Sequence, residues 1–418
     1  MNKKNKKILF VHQNFPAQYK HVSLALVEKG YDVHTLSINN YNHENMVNHS
    51  YEISGITSDN INQWAVEFET KMIRANAAAN KAIKMKDSGF EPDLIIGHPG
   101  WGETFFLKEV WPNAKLISYV EFYYKTSGCD IDFDEDFLTN VLKKDFKKFL
   151  EFNKFKLAAR NAAFTHSYSI SDYLISPTNF QKSLLPDIIK PHVKVIHDGI
   201  DTDFLKPDDD VSISINGNKL TKANKVITYV SRALDPYRGF HILMKSLPKI
   251  LENNPDAYII IVGDPNKPGY GAKPADGKLF KEICYSPVES KIDTSRVFFV
   301  GWINYETFIK VIQLSTLHIY LTYPFVLSWS MLEAMSCGAL VLGSNTKPVT
   351  EIIKDNKNGL LVDFFDADEL ENKVTNVLNN SNDFNHIRES ARDTIIKNYD
   401  LKTVCLPAHL EIINKALK

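Results

Sequence analysis

The stretch KVITYVSRALDPYRGFHILMKSLPKILENNPDAYIIIVGD, residues 225–264, decides the fold. Its two ends, KVITYVS (225–231) and AYIIIVGD (257–264), are short runs of β-branched and aromatic residues, a composition that predicts buried strands. Apolar residues recur at helical spacing over residues 239–252, between the two runs. A strand, a helix and a second strand in this order predict a right-handed βαβ unit, and hence a parallel sheet.

The same alternation extends in both directions, and a polar interval over residues 206–224 interrupts it and reads as a linker. The sequence therefore predicts an α/β fold with two Rossmann-like parallel-sheet domains, whose strand ends face an interdomain cleft. The remaining predicted strands are KILFVH (7–12), YDVHTLSI (31–38), PDLIIGH (92–98), AKLISYV (114–120), AAFTHS (162–167), VKVIHDG (193–199), RVFFVG (296–301), LHIYLT (317–322), ALVLGS (339–344) and GLLVD (359–363).

The composition of the 418 residues excludes several classes of protein. A net charge of -1 gives no field that would favour nucleic acid, so no nucleic-acid partner is expected. The four cysteines lie far apart, which argues against a zinc site and suits a reducing cytoplasm, and the basic N-terminal residues read as a solubilising tail. QNFPAQYKH, after the first strand, has no glycine, so no dinucleotide cofactor is expected.

Two arginines, Arg232 and Arg238, lie in or beside the connection between strand 225–231 and the following helix. The arginine side chain offers a planar fork of donors that matches phosphate oxygens. The start of the helix adds backbone N–H groups and the positive end of a dipole. These residues predict a phosphate site, and the alternative is a pair of solvated surface arginines.

One acidic residue, Glu333, interrupts the apolar helix predicted within YPFVLSWSMLEAMSCG (323–338). If Ser330 caps this helix, Ser330 and Glu333 form a capping box and the carboxylate satisfies backbone N–H groups. If Ser328 caps it, Glu333 lies more than one turn inside and needs another partner. A pair of ligand hydroxyls, such as a ribose diol, would suit a carboxylate acceptor.

Two aromatic segments follow strands in the N-terminal half. GHPGWGE (97–103) combines turn glycines with His98, Trp101 and Glu103, and YVEFYY (119–124) places Glu121 among aromatic residues. Aromatic faces with a few carboxylates and amides are typical of sugar binding. The alternative is an ordinary turn with core aromatics.

The acidic segment GCDIDFDEDF (128–137) has the composition of a metal site. As an EF-hand loop starting at Asp130 it lacks the required glycine and the final bidentate glutamate. Asp130-Ile131-Asp132 has the residues of the Asp-x-Asp of metal-dependent glycosyltransferases, although that motif belongs to a single-domain fold. We therefore expect no metal.

The segment LKKDFKKFLEFNKFKLAAR (142–160) predicts a basic amphipathic helix, with Phe146, Phe149, Leu150 and Leu157 near one face. Such a helix can lie on an anionic membrane surface. The alternative is a helix that packs on its own sheet and leaves its lysines in water. No apolar stretch reaches the ~20 residues that span a bilayer, so we expect a cytoplasmic protein, with peripheral membrane contact as a hypothesis.

Together these features resemble the family-4 retaining glycosyltransferases of the GT-B fold. VIHDGIDTDFLKP (195–207) is similar to the segment that crosses into the family's second domain, and VSRALDPYRG (230–239) to its phosphate-binding element. LEAMSCGALVLGSNTKPVTEII (332–353) is similar to its nucleotide-binding helix. FVHQNFPAQYKH (10–21), GHPGWGE and PFVLSW (324–329) further resemble one bacterial subgroup. The resemblance implies domains at 1–205 and 206–398, and a helix at 399–418 that packs back on the first.

The resemblance also implies roles for individual residues. Glu333 falls on the second glutamate of the family's Glu-x7-Glu signature, which binds the ribose of the donor nucleotide. Phe325 stands where the family has the first glutamate, which normally meets the donor sugar. The implied catalytic residues are Arg232 and Arg238. Glu121 stands near the place of a histidine that is common in the family's first domain, and His98 lies one strand earlier, so these two are the further catalytic candidates, expected to orient the acceptor. The implied donor-binding residues are Glu333, Ser328, Trp329, Ser330, Gly263 and Asn14. The implied acceptor-binding residues are Phe15, Trp101, Glu103 and Tyr123.

The expected activity is a retaining transfer of a sugar from a nucleotide-sugar donor to a hydroxyl acceptor, without a cofactor or a metal. Phe325 motivates one alternative, a catalytically inactive protein that binds nucleotide sugars. A nucleotide-sugar epimerase of similar fold is the other alternative, and it would change the donor without any acceptor.

Overall fold

The computed structural model describes residues 6–267 and 269–418, so most of the basic N-terminal tail lies outside the described residues. The chain forms two compact units. The first comprises the described residues up to Thr126, Lys148–Gly199 and Lys402–Lys418, and the second comprises Ser127–Lys147 and Ile200–Leu401. Among the described residues, no helix has the length and apolar character needed to cross a bilayer.

The first unit is built on a seven-stranded parallel sheet with the order β3-β2-β1-β4-β5-β6-β7. Successive residues of its central strand enter different cores, with Ile8 and Phe10 in one and Leu9 and Val11 in the other. A strand covered on both faces must be apolar where it is buried, as residues 8–11 of KILFV are, while Lys7 at its start is half-buried. The strands are β1 (Lys7–Val11), β2 (Asp32–Ser37), β3 (Val47–Ser50), β4 (Leu94–Gly97), β5 (Lys115–Tyr119), β6 (Tyr173–Ser176) and β7 (Val193–Val195).

The α-helices between these strands are α1 (Lys20–Glu28), α2 (Val66–Asp87), α3 (Leu107–Val110), α4 (Phe146–Ser169) and α5 (Asn179–Ser183). The prediction of a strand at 162–167 is wrong, because AAFTHS lies within α4. Its buried residues in this region include Leu157, Asn161, Phe164 and Tyr168, whose spacing of three and four is helical. The strand of this region is β6, further along the chain.

The interval 206–224, predicted as a linker, contains an antiparallel hairpin of β8 (Ser212–Ile215) and β9 (Asn218–Thr221). Its turn residues Asn216 and Gly217 have φ angles of 49° and 82°. These positive angles match a two-residue hairpin turn, for which Asn-Gly is a strong signal. Leu220 is buried in a core of the second unit, so this interval is structured.

The second unit contains a six-stranded parallel sheet with the order β12-β11-β10-β13-β14-β15. Its strands are β10 (Lys225–Ala233), β11 (Ala257–Asp264), β12 (Val297–Gly301), β13 (Leu317–Tyr320), β14 (Leu340–Ser344) and β15 (Leu360–Val362). Its helices are α6 (Phe240–Asn253), α7 (Phe280–Glu289), α8 (Tyr305–Leu314), α9 (Trp329–Ser336), α10 (Lys347–Ile352), α11 (Ala367–Asn379) and α12 (Asn385–Tyr399). Two units, each with a parallel sheet, confirm the predicted fold class.

The last helix, α13 (Leu406–Ala416), belongs to the first unit. Its residues Ile412, Ile413 and Ala416 lie in the core on the face of the first sheet that also holds Ile8 and Phe10. His409 is buried as well, and its Nε2 lies 3.2 Å from the carbonyl oxygen of His197. Helix α13 is therefore an integral part of the first unit's core.

Strand order reverses once in each sheet. In the first, β1 lies between β2 and β4, and in the second, β10 lies between β11 and β13. Ligands of open α/β sheets bind at such reversal points, outside the carboxyl ends of the strands. The loops after β1 and β4, and those after β10 and β13, are therefore the expected positions of functional side chains.

Candidate functional site

Arg238 is the central cation at the reversal point of the second sheet. It lies after β10, is buried, and donates through Nη1 to the hydroxyl of Thr322 at 2.8 Å and of Tyr320 at 3.2 Å. Its Nη2 donates to the carbonyl oxygen of Val326 at 3.0 Å. These bonds tie the loop after β10 to the loop after β13. A guanidinium has five N–H groups, so two remain beyond these three bonds for a ligand.

The backbone around Arg238 is shaped by two neighbouring residues. Asp235 caps the short turn at Pro236–Arg238 by accepting from the backbone N–H of Arg238 at 3.2 Å. Gly239 has a φ of 69°, and a Cβ there would lie 2.3 Å from Cβ of Leu321. Only glycine permits this left-handed conformation together with such a close approach. Burial raises the pKa of Asp235 to about 6.

Helix α9 begins next to the loop that Arg238 holds. Its N-cap is Ser328, whose side chain accepts from the backbone N–H of Ser330. The backbone N–H of Ser328 donates to the Tyr320 hydroxyl at 2.8 Å, the same oxygen that accepts from Arg238. The open end of α9 is therefore linked to the guanidinium through one hydroxyl. Helix starts carry exposed N–H donors and a partial positive charge, which attract anions.

Glu333 is not a capping residue, because Ser328 rather than Ser330 caps the helix. Its carboxylate is buried, and Oε1 accepts from the hydroxyl of Tyr305 at 2.7 Å. Burial raises the pKa of Glu333 to about 7, and the hydrogen bond from Tyr305 acts in the opposite direction. A buried acceptor with one protein donor retains the capacity to accept from a ligand hydroxyl.

The other predicted donor residues lie along the same sheet edge. Arg232 is exposed near the end of β10, where the register with β11 shifts between Val230 and Ala233, as in a β-bulge. Gly263 lies at the end of β11, and a Cβ there would meet the Ser231 carbonyl oxygen at 3.0 Å. Trp329 is half exposed at the start of α9, and Ser330 is buried behind it.

Phe325 lies in an aromatic cluster beside Arg238. Its ring centroid lies 5.3 Å from that of Tyr237 and 4.9 Å from that of Tyr270, and the guanidinium carbon of Arg238 lies 5.9 Å from the Phe325 ring. Phe325 itself is buried. The position that holds a carboxylate in the resembled family therefore holds an apolar wall here.

At the reversal point of the first sheet, two histidines follow β1 and β4. His98 is buried, and its Nδ1 accepts from the backbone N–H of Gly100 at 3.0 Å, so its proton is on Nε2. Nε2 lies 3.5 Å from Oε2 of Glu121. The ring of Trp101 packs on His98 at 4.6 Å and on His12 at 5.0 Å. Burial and the neighbouring His98 lower the pKa of His12 to about 3.

The predicted acceptor residues divide into accessible and buried ones. Trp101 and Tyr123 are half-buried. Asn14, a predicted donor-binding residue, is exposed after β1 of the first unit. Glu103 is fully buried and accepts from the hydroxyl of Tyr51 at 2.9 Å. Phe15 is also buried in the core. Glu103 and Phe15 therefore support the fold of the loops and are not exposed to a ligand.

The carboxylates of the acidic segment bind protein donors. Asp130 accepts from the Tyr237 hydroxyl at 3.1 Å, and Asp132 accepts from the backbone N–H groups of Gly128 and Cys129 at 2.8 and 3.2 Å. In the described ranges, 6–267 and 269–418, no group of three or more His, Cys, Asp or Glu side chains is arranged to hold a metal ion.

Three residues of the site are not predicted from the sequence, namely Tyr305, Asp235 and Thr322. Asp235 precedes a proline, and Asp-Pro is a recognisable start signal for a helical turn. Tyr305 donates to a residue of another helix, and Thr322 accepts from Arg238 in another loop, so local spacing carries no sign of their partners.

Two Rossmann-like parallel-sheet units, with polar residues at the reversal point of each sheet, define the GT-B class of glycosyltransferases. The model of the glycosyl transferase family 4 group matches residues 29–205, and the model of glycosyl transferases group 1 matches residues 212–394. The chain therefore belongs to the family-4 glycosyltransferases.

Curated relatives include the uncharacterized glycosyltransferase MJ1069 of Methanocaldococcus jannaschii, which is 23% identical over 56% of this chain and 56% of its own length. The spore coat protein SA of Bacillus subtilis is 23% identical over 38% of this chain and 40% of its own. The chain thus spans about half the length of the curated relatives that it matches.

Solved structures show the same fold along nearly the whole chain. Sucrose-phosphate synthase from Thermosynechococcus elongatus has a TM-score of 0.74 at 15% identity, and covers 98% of this chain and 99% of its own. A glycosyltransferase from Rickettsia africae has a TM-score of 0.68 at 19% identity, with full coverage of both chains. HepE of Anabaena, solved with UDP, has a TM-score of 0.65 at 16% identity over 98% of this chain and all of its own.

Proposed function

We propose that this protein is a retaining glycosyltransferase that moves a hexose-type sugar from a nucleotide-sugar donor to a hydroxyl acceptor. One observation carries the proposal. The reversal point of the second sheet joins a buried guanidinium, an open helix start and a buried carboxylate in the same helix. The guanidinium and the helix start suit the phosphates of a nucleoside diphosphate, and the carboxylate suits the hydroxyls of its ribose. Complexes of HepE with UDP and UDP-glucose support a donor of this class.

In the proposed reaction the bond between the anomeric carbon and the diphosphate breaks. The acceptor oxygen forms the new bond on the same face of the sugar, and its proton leaves with the diphosphate. The main task of the protein is to stabilise the charge that develops on the leaving phosphates. Arg238, Arg232 and the start of α9 would do this without a metal, while Glu333 holds the ribose.

The first unit would bind and orient the acceptor. Nε2 of His98 lies 3.5 Å from Oε2 of Glu121, so the two side chains offer a neighbouring donor and acceptor to a hydroxyl group. Trp101 packs beside His98 and supplies an aromatic face of the kind that stacks on a sugar ring.

A donor screen tests the proposal. The melting temperature of the purified protein should rise with one of UDP, GDP and ADP, because a ligand that binds only the folded state stabilises it. The matching nucleotide sugar should then be hydrolysed slowly, and faster when a hydroxyl acceptor is added. Stabilisation by none of the three nucleotides would contradict the proposed donor class.

Phe325 favours one rival function, an inactive protein that binds nucleotide sugars, because it removes a carboxylate beside Arg238. Tight nucleotide binding with no hydrolysis or transfer would support this rival. An epimerase is distinguished by its product, since it would convert the donor to an isomeric nucleotide sugar without an acceptor.

We further propose that the first unit contacts anionic membrane. The rings of Phe152 and Phe155 lie 5.0 and 5.5 Å from the ring of Trp64, and these three residues form an aromatic patch. Phe152 and Phe155 are 44% and 59% exposed, and Lys148 and Lys154 are exposed on the same helix. An exposed aromatic patch with nearby lysines suits anionic lipid headgroups.

This aromatic patch lies on a different face of α4 from the one suggested by the sequence. Leu157 is buried, and Phe146, Phe149 and Leu150 are half-buried, so the predicted apolar face is largely occupied by the protein's own packing. The membrane hypothesis therefore rests on Phe152 and Phe155.

A further inference from the structure

The acidic segment 128–137 lies within a longer stretch, Ser127–Lys147, that follows Thr126 of the first unit and packs within the second unit. Its contacts lie at the loops after β10, β13 and β15, the edge of the sheet that holds Arg238. Cys129 Sγ donates to the carbonyl oxygen of Pro324 at 3.1 Å. The ring contacts are those of Phe133 with Tyr323 at 4.9 Å, Phe364 at 5.1 Å and Phe365 at 5.0 Å, and of Phe137 with His241 at 4.7 Å.

Within this segment, Asp134 makes the bonds that join the loops. It is buried, and Oδ2 accepts from the hydroxyl of Tyr323 at 2.6 Å and lies 2.9 Å from Nε2 of His241. Oδ1 accepts from the backbone N–H of Phe137 at 2.9 Å. Burial opposes ionisation, but these hydrogen bonds and the attraction of His241 outweigh it and lower the pKa of Asp134. The residue is therefore an ionised carboxylate with three protein partners.

Asp134 and Arg238 connect the same two loops. His241 lies in the first turn of α6, one helical turn from Arg238, and Tyr323 adjoins Thr322, which accepts from the guanidinium at 2.8 Å. A shift of either loop would therefore disturb both sets of bonds. The bonds of the Asp134 carboxylate and those of the Arg238 guanidinium together fix the separation of the loops.

We propose that Asp134 is a positioning residue that holds Arg238 and the start of α9 in the geometry required by the donor diphosphate. This inference rests on the proposed function, since it assumes that Arg238 binds phosphate. Asp134 has no contact with the donor in this scheme. It acts through His241 and Tyr323, and its loss loosens the loops that carry the phosphate ligands.

Asp134→Asn is the decisive variant, because it keeps the shape of the side chain and removes its charge. Affinities should be measured for the nucleoside diphosphate selected from UDP, GDP and ADP, and for the corresponding nucleoside. The affinity for the diphosphate should fall about tenfold or more, because small displacements of positioned groups weaken their interactions strongly. The affinity for the nucleoside should change little. A purely structural role would weaken both ligands equally or neither.

Glu371→Gln is the matched control. Glu371 is a buried carboxylate of the second unit that accepts from Asn253 at 2.7 Å and from Thr375 at 2.9 Å. Asn253 ends α6 and so lies near the opposite edge of the sheet. This variant should leave the ratio of diphosphate to nucleoside affinity unchanged.

Two further variants separate the outcomes. Tyr323→Phe removes one hydroxyl bond to Asp134 and keeps the ring, so it tests the same network if Asp134→Asn fails to fold. If Arg238→Lys lowers the diphosphate affinity while Asp134→Asn and Tyr323→Phe do not, the positioning role is wrong and the proposed function stands. If Arg238→Lys leaves the diphosphate affinity unchanged, the phosphate role of Arg238 and the positioning role both fail.

Discussion

The two candidate phosphate ligands differ in burial, because Arg232 is exposed and Arg238 is buried. This difference leads to a prediction for Arg232. Arg232 is exposed, so Arg232→Ala should change the free energy of unfolding by no more than about 0.5 kcal/mol. It should lower turnover by about 10²–10³, the typical loss of one electrostatic donor. Steady-state rates and melting curves check this, with Lys310→Ala, an exposed cation of α8, as the control. Full activity of the Arg232 variant would remove that residue from the site.

Arg238 requires a milder substitution because its guanidinium is also structural. Arg238→Ala would leave the oxygens of Thr322 and Val326 without their donor, at about 1–3 kcal/mol each where they stay buried. Arg238→Lys keeps the charge but loses the fork that bonds two groups at once. The transfer rate of Arg238→Lys is therefore more informative than that of Arg238→Ala, because the lysine variant disturbs the fold less.

Glu333→Gln tests the ribose role. The amide keeps the shape of the side chain and one acceptor oxygen, so the hydroxyl of Tyr305 can still donate. Because a carboxylate accepts from two hydroxyls and an amide oxygen does so less well, we expect weaker nucleoside binding, by about tenfold. Calorimetry with the nucleoside alone measures this without interference from phosphate. Unchanged affinity would show that Glu333 has no part in ribose binding.

The pKa of Glu333 gives a separate prediction for stability. Its value of about 7 in the folded protein exceeds the ordinary value of 4.5 expected on unfolding. The folded state therefore binds more proton between these values, and stability falls as the pH rises from about 4.5 to 7. Glu333→Gln cannot ionise, so it should exceed the parent in stability by up to about 3 kcal/mol at pH 8 and by almost nothing at pH 4.5. If the difference in stability between Glu333→Gln and the parent protein is the same at pH 5 and pH 8, the raised pKa of Glu333 is wrong.

Residues that act through local spacing could be predicted, and residues whose partners lie on another element could not. The placement of Arg238 after β10 follows from a strand, a polar turn and a helix in sequence, whereas local spacing left Ser328 and Ser330 as alternative caps, and the structure has Ser328. Tyr305 reaches Glu333 from a different helix, 28 positions earlier in the chain. Only the packing of α8 and α9 in one core brings those two side chains together.

At the level of elements, apolar runs identified most strands, and the failures have a physical cause. AAFTHS is too short for its period to distinguish a strand from a helix, and it is a continuation of α4. The β8–β9 hairpin lies in an interval whose polar composition predicts a linker, although Asn216-Gly217 is a turn signal, because its strands are polar on their outer face. Short polar strands give little hydrophobic signal.

Helix α4 carries the membrane prediction. Replacing Lys148 and Lys154 by Glu should weaken binding to anionic vesicles by at least about tenfold, because each lysine near such a surface contributes about 1 kcal/mol. Lys20→Glu with Lys29→Glu changes the same charge on exposed positions at the ends of α1 and should have little effect. Vesicle sedimentation measures the binding.

The aromatic patch is tested separately from the charge. Phe152→Ser with Phe155→Ser should also release the protein from these vesicles, since the exposed rings would no longer enter the headgroup region. If the parent protein does not sediment with anionic vesicles, the membrane proposal is wrong, whatever the variants do.

At the scale of the whole molecule, the sequence predicted two parallel-sheet units but gave no sign of the acidic segment's place. Residues 127–147 follow β5 of the first unit, yet their side chains pack on loops of the second. The period of the apolar residues shows which face of an element is buried. It does not show which unit that face packs against. The acids of this segment suggested a metal motif, whereas their partners are tyrosine, histidine and backbone N–H groups.

Those partners lead to a prediction about metal removal. Departure of a nucleoside diphosphate needs positive charge, which either a divalent cation or fixed protein groups can supply. Here two arginines and the start of α9 lie at the sheet edge, and Asp130 and Asp132 accept hydrogen bonds from protein donors. We therefore expect transfer activity to be unchanged by EDTA and by added Mg²⁺ or Mn²⁺. Asp132→Asn should likewise leave the metal response unchanged. Loss of activity in EDTA with recovery on adding Mg²⁺ would show that the arginines are not sufficient, and would move the leaving-group role to a bound cation.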